Sequence, residues 1–222
     1  PQFNNIDLGK IHDLKDSFRL HIDEILNLKH VNPQKIRDKK FKIVVDGINS
    51  SGGIIIPMLL EILNVDVIKI NCIPDGNFAH DPEPLDKNLS ELKKEVIIHN
   101  ADLGIAVDPD VDRLVFVSEK GKTLGEENTL ISCADYILSK ESGPAVSNLS
   151  SSMGLRDVCA KYNVEYFSSK VGEINVVEKM KDVNAIIGGE GNGGIIYPES
   201  HYGRDALVGV GLLLTSLALK DK

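Results

Sequence analysis

Three aspartates at alternate positions, Asp108, Asp110 and Asp112, are followed at once by Arg113 and directly preceded by an apolar run, Leu103–Val107. Continued as a strand, these carboxylates would point to one face and repel. In a tight loop they can converge on one cation, and a hard divalent ion supplies the charge that makes such crowding favourable. Magnesium suits the set, because it takes few carboxylates and keeps positions for water or a phosphate oxygen. A guanidinium beside the metal suits a phosphoryl group. The bland alternative is a solvated acidic turn. The place of the run at the carboxyl end of a strand favours a site, since open α/β sheets bind ligands there.

Two other chemistries use similar runs. A calcium-binding EF-hand would place Asp108, Asp110, Asp112 and Glu119 at loop positions one, three, five and twelve. Position six, which requires Gly, is Arg113, and the flanks read as strands rather than helices. An aspartyl-phosphate enzyme of the haloacid-dehalogenase kind would use Asp108 as nucleophile, but Asp112 stands where that pattern wants Thr or Val.

A second loop, Gly188-Gly189-Glu190-Gly191-Asn192-Gly193-Gly194, lets the backbone approach a ligand closely. It offers the Glu190 carboxylate and the Asn192 amide, which suit sugar hydroxyls. It lacks the Gly-Lys-Ser/Thr ending of a nucleotide-binding P-loop. The earlier loop Gly47–Gly53 reads as a strand-to-helix turn. The histidines show no ligand spacing, and His201 and Arg204 read as contacts at the start of the last helix.

The elements that must position these loops alternate. A helix is expected over residues 12–29, carrying Leu14, Phe18, Ile22, Ile25 and Leu26 on one face and ending before Pro33. Strands follow at 41–45 and 65–70, with a helix between them to about Leu63. Residues 74–85 are loop, and 88–99 helix. Strands at 103–107 and 114–118 flank the Asp-rich run. The pattern then restarts: helix 126–140, strand 144–147, a helix capped by Ser151 or Ser152 and running to Lys161, strand 164–168, helix 171–181, strand 185–187, strand 195–197 and helix 204–219. Such alternation implies two successive α/β domains, each a mixed sheet covered by helices. The expected division is residues 1–121 and 122–222, with 1–15 a linker. The 222 residues suit two domains of roughly 110 each.

Composition narrows the function. The formal charge is −8 and there is no Trp, which argues against nucleic acid as a partner. No apolar run reaches about 18 residues, so no membrane span is expected. Three widely spaced cysteines, Cys72, Cys133 and Cys159, suit reduced thiols in a cytoplasmic protein.

The two loops together carry a resemblance. The run from Leu103 to Arg113 resembles the metal loop of the α-D-phosphohexomutase superfamily, Asp-Gly-Asp-x-Asp-Arg. Gly189-Glu190-Gly191-Asn192-Gly193 is similar to its sugar-specificity loop, Gly-Glu-x-Ser-Gly. Pro74-Asp75-Gly76-Asn77-Phe78, Pro82-Glu83-Pro84-Leu85 and Asn88-Leu89 look like the stretch before that metal loop. The resemblance implies the second and third of four domains. The first, with the serine that becomes phosphorylated, and the fourth, which grips substrate phosphate, would lie outside this chain. It implies an isomerase that interconverts hexose 1- and 6-phosphates through a phosphoserine and a bisphosphate intermediate, and a fragment inactive alone. Asp108, Asp110 and Asp112 would hold Mg²⁺, Arg113 would assist transfer, and Glu190 with Asn192 would bind the sugar. Asn192 replaces the usual Ser, Gly194 a frequent His, and Ser150 and Glu173 stand where some relatives carry Lys and His. The sugar is therefore open among glucosamine, mannose and glucose phosphates. A haloacid-dehalogenase-like phosphotransferase and a non-catalytic sugar-phosphate-binding module are the alternatives.

Overall fold

The computed structural model describes residue 14 and residues 16–220. The first thirteen residues of the expected linker lie outside this range. Strands β1 (Lys42–Asp46), β2 (Asp66–Ile70), β3 (Leu103–Val107) and β4 (Leu114–Ser118) form one sheet in the order β2-β1-β3-β4. β1 pairs parallel with both β2 and β3, and β4 closes the edge antiparallel to β3. Strands β5 (Ala145–Asn148), β6 (Tyr166–Ser169), β7 (Ile187–Gly189) and β8 (Ile195–Ile196) repeat this plan, in the order β6-β5-β7-β8, with only β8 antiparallel. Two α/β/α units with mixed four-stranded sheets result. The inner strands β1 and β3 are apolar almost throughout because helices cover both of their faces.

Helices α3 (Gly52–Ile62) and α4 (Ser90–Ile98) cover the first sheet, and α5 (Glu126–Leu138), α6 (Gly154–Lys161) and α7 (Glu173–Val183) the second. A single 3₁₀ turn, Asp86–Asn88, precedes α4. The last helix, α8 (Ala206–Leu219), buries twelve of its fourteen residues. A helix that is apolar all round belongs inside a core. It packs on α5 and also on α1 (Ser17–Asn27) and α2 (Pro33–Lys39) of the first unit. One contiguous core therefore runs through both units, from Ile22, Ile25 and Ile36 to Leu207, Val210 and Leu214. Two smaller clusters sit under α4 and α7, on the outer sheet faces. No helix among the described residues is long and apolar enough to cross a membrane. The three cysteines are free.

Some elements depart from expectation. Of the stretch expected to be one helix, residues 12, 13 and 15 lie outside the described residues; α1 spans Ser17–Asn27, and Leu14 and Phe18 are exposed rather than on a buried stripe. Pro33 does not merely end a region. It starts α2, where its missing N–H is harmless, and Asn32 caps that helix by accepting a hydrogen bond from the Lys35 amide. Met153 rather than Ser151 or Ser152 holds the cap position of α6: the Ser151 hydroxyl donates to Asn148, while the Ser152 hydroxyl accepts the Gly154 amide at 3.3 Å from one residue before the cap.

Candidate active site at the junction of two loops

β3 ends at Val107, so Asp108 is delivered to the carboxyl end of an inner strand. Its Oδ1 accepts the backbone amides of Asp112 and Arg113 at 3.1 and 3.0 Å, and its carbonyl accepts the Val111 amide. These bonds close a tight turn in which Val111 takes φ 64°. A β-branched residue there is strained, and such strain persists only when the surroundings fix it. They do so from two sides. Ser50 and Ser51, at the start of α3, donate their hydroxyls to the Pro109 carbonyl at 2.9 and 2.7 Å. From the second unit, the amide of Ala206, the first residue of α8, donates to the Val111 carbonyl at 3.0 Å.

The turn gathers the predicted cluster. One carboxylate oxygen each of Asp108, Asp110 and Asp112 lies within 4.8 Å of the other two. Asp108 is buried, Asp110 exposed and Asp112 half-buried. Burial, aided by the charges of Asp112 and Asp110 and opposed by the Arg113 amide, pushes Asp108 up to about 7. Near neutral pH the cluster thus resists full ionisation unless a cation supplies positive charge. Asp112 Oδ1 is buried and has no hydrogen-bond partner among the described residues. An orphaned buried acceptor among three convergent carboxylates fits a hard divalent ion. Arg113 donates to Glu83 at 3.0 Å and keeps its Nε 3.6 Å from Asp108 and 3.9 Å from Asp112.

The glycine-rich loop meets this turn directly. The Leu114 amide donates to the Gly193 carbonyl at 3.1 Å, and Arg113 bridges to Gly194. Gly193 adopts φ +93°, and a Cβ there would stand 2.7 Å from the Leu114 carbonyl oxygen. Only glycine lets the loops come this close. Glu190 points inward and is 5% exposed. Its Oε1 accepts from Asn148 Nδ2 at 2.7 Å and from the Gly172 amide at 3.2 Å. Its Oε2 accepts from Arg204 at 2.8 Å. In this conformation Glu190 holds the loop rather than offering a free acceptor to a ligand. The Asn192 side chain accepts from the Gly194 amide and borders a cavity of about 380 Å³ with Glu83, Arg113, Glu126, Glu127 and Ser150.

Arg204 is the residue that sequence reasoning undervalued. It is more than a contact at the start of α8. Its guanidinium joins Glu190 of the glycine loop to Asp112 of the Asp-rich turn, and its Nε lies 3.5 Å from Glu173. Glu173 also accepts the Arg204 amide. The available signal was an arginine ten positions after the glycine-rich loop, at the entry to the last helix. Its partner Asp112, ninety-two positions away, is visible only in the fold.

Two stacked α/β/α units that bring an Asp-x-Asp-x-Asp-Arg turn against a Gly-Glu loop define a class found elsewhere. Residues 19–121 match the family model for phosphoglucomutase/phosphomannomutase α/β/α domain II, and residues 126–222 that for domain III. The chain belongs to the phosphoglucomutase/phosphomannomutase family, of which it carries the two middle domains. It is 34% identical over 195 residues to a probable phosphoglucosamine mutase of Methanopyrus kandleri, covering 87% of this chain and 42% of that protein. It is 32% identical over 224 residues to a phosphoglucomutase/phosphomannomutase of Thermococcus kodakarensis, covering 99% and 49%. The crystal structure of a phosphoglucomutase/phosphomannomutase family protein from Burkholderia thailandensis superposes with a TM-score of 0.81 at 25% identity, covering 92% of this chain and 44% of that one. The chain spans about half the length of the curated relatives it matches.

Proposed function

We propose that this chain is the central half of a Mg²⁺-dependent phosphohexomutase that interconverts the 1- and 6-phosphates of a hexosamine. The observation that carries the reading is the direct junction of the carboxylate turn with the glycine loop, locked by Arg204 between Asp112 and Glu190. Asp108, Asp110 and Asp112 would hold the ion, which supplies charge neutralisation to a transferring phosphoryl group. Arg113, tethered by Glu83, faces the same cavity and can pair with phosphoryl oxygens through its remaining donors. Asn192 presents its amide to sugar hydroxyls. Glu83, Glu126 and Glu127 line that cavity, so an ammonium substituent is favoured there over a neutral hydroxyl. This supports glucosamine phosphate over mannose or glucose phosphate. The phosphorylated serine and the domain that grips the distal phosphate belong to the remainder of a longer protein, and this half alone is expected to turn over no substrate.

The test uses that longer protein. Glucosamine 6-phosphate should be converted to the 1-phosphate faster than mannose 6-phosphate, and chelation or Asp110→Ala should abolish conversion. An absence of interconversion, together with a beryllofluoride adduct on Asp108, would instead establish a phosphotransferase that uses Asp108 as nucleophile.

A further inference from the structure

A second donor cluster lies outside the site just described. His21 comes from α1 of the first unit. His201 and Asp205 come from the segment that leads into α8 of the second. Both histidines place Nε2 against the same oxygen, Asp205 Oδ2, at 2.8 Å for His21 and 3.0 Å for His201. One donor atom from each residue lies within 4.8 Å of the other two. The carboxylate is held in place by its other oxygen. Asp205 Oδ1 accepts the Leu207 and Val208 amides as the cap of α8, so the positive end of that helix is already answered and Oδ2 is left to the histidines. Asp205 is buried, while both imidazoles reach solvent. They open on a cavity of about 250 Å³ that is also walled by Phe18, Ile55, Asp110 and Arg204, so the cluster adjoins the carboxylate turn without sharing its donors.

We propose that His21, His201 and Asp205 form a second metal site that takes a late first-row divalent ion, with zinc as the type, and that clips the two domains together. Two imidazole nitrogens and one carboxylate oxygen select zinc-like ions over magnesium, which prefers an all-oxygen set. In a tetrahedral zinc site with bonds near 2.0–2.1 Å, donor atoms stand roughly 3.3 Å apart. The two histidine–carboxylate separations here, 2.8 and 3.0 Å, are a few tenths of an ångström shorter, and the two histidine donors lie within 4.8 Å of each other, a mismatch that small side-chain rotations close. Three protein donors leave a fourth position facing the cavity, open to water or to an anionic ligand. The rival occupant of this geometry is a proton shared in a pair of hydrogen bonds. Its three donors are not those assigned to the sugar-phosphate reading, although Asp110 and Arg204 border its cavity.

The chain is stripped of metal and then titrated with Co²⁺, a visible-absorbing stand-in for Zn²⁺, under a large excess of Mg²⁺ that saturates the carboxylate turn. One equivalent should produce an intense tetrahedral d–d spectrum. Zn²⁺ should bleach it by displacement and raise the thermal midpoint, because the ion joins α1 to the start of α8. His21→Asn and His201→Asn should each abolish the spectrum, while Asp110→Asn should retain it. The proposal is overturned if no tetrahedral spectrum develops, if it survives in both histidine variants, or if it is lost in Asp110→Asn, which would place the ion in the carboxylate turn. Circular dichroism of the metal-free histidine variants must match the parent. If one variant misfolds, the other decides the question.

Discussion

Replacing Arg204 by Met tests the junction of the two loops most directly. The guanidinium is 14% exposed and faces Glu190 and Asp112, whose side chains are 6% and 19% exposed. Met keeps much of the volume and removes the charge. Breaking a buried ion pair from one side costs about 3–5 kcal/mol, mostly because a charge is left buried and uncompensated. Glu190 retains Asn148 and the Gly172 amide, and Asp112 is partly solvated, so the lower end applies, about 3 kcal/mol. For a chain of this length that is a fall of about 6–12 °C in thermal midpoint. Urea and thermal unfolding, each without added metal, would measure it. The double variant Arg204→Met with Glu190→Gln should recover at least half of the loss, because the stranded carboxylate is gone. Arg204→Lys should recover little, since one ammonium cannot fork between two carboxylates. A loss below about 1 kcal/mol, or a double variant as unstable as the single one, would refute the argument that Arg204 is the counterion of both loops.

Three further outcomes follow from the geometry. Asp110 is exposed and caps nothing, so Asp110→Asn should leave stability within about 0.5 kcal/mol while removing the calorimetric signal of Mg²⁺ binding; retained binding would exclude the three-carboxylate site. Gly193→Ala should cost more than about 1 kcal/mol in urea unfolding, from its positive φ and the collision with the Leu114 carbonyl, and a neutral effect would mean that the loops part easily. His80 donates to the buried Asp46 at 3.0 Å, and that hydrogen bond, partly offset by desolvation, raises its pKa above 6.5. A raised folded value means that its stabilisation is complete below the unfolded value near 6.5 and is lost as pH rises through the folded value. Thermal midpoints should therefore fall on the alkaline side of 6.5, with a flatter profile in His80→Asn.

The alternation of strands and helices was legible because burial on two faces forces apolar runs, as in Leu103–Val107, and turn residues punctuate them. The Asp-rich turn was legible because three carboxylates so close in sequence cannot separate far in space. Pro33 reads as a stop in the sequence because a proline after a helical pattern usually is one; its role at the start of α2 depends on Asn32 being free to cap. The inward turn of Glu190 was not legible, since glycine neighbours suggest an accessible side chain and give no hint of Asn148 or Arg204. Nor was the meeting of His21 with His201, 180 positions apart, which depends on α8 lying against α1.

That shared helix also sets an order of events during synthesis. α1 and α2 leave the ribosome well before α8, the surface they are built to cover, which begins about 167 residues after α2 ends (206 − 39). At bacterial-to-eukaryotic elongation rates of about 5–20 residues per second, Ile22, Ile25 and Ile36 wait roughly ten to thirty seconds for their partner. The first unit can pair its strands in that interval yet keeps an apolar flank uncovered. It is in this window that the apolar faces of α1 and α2 stand open to chaperones and to neighbouring nascent chains.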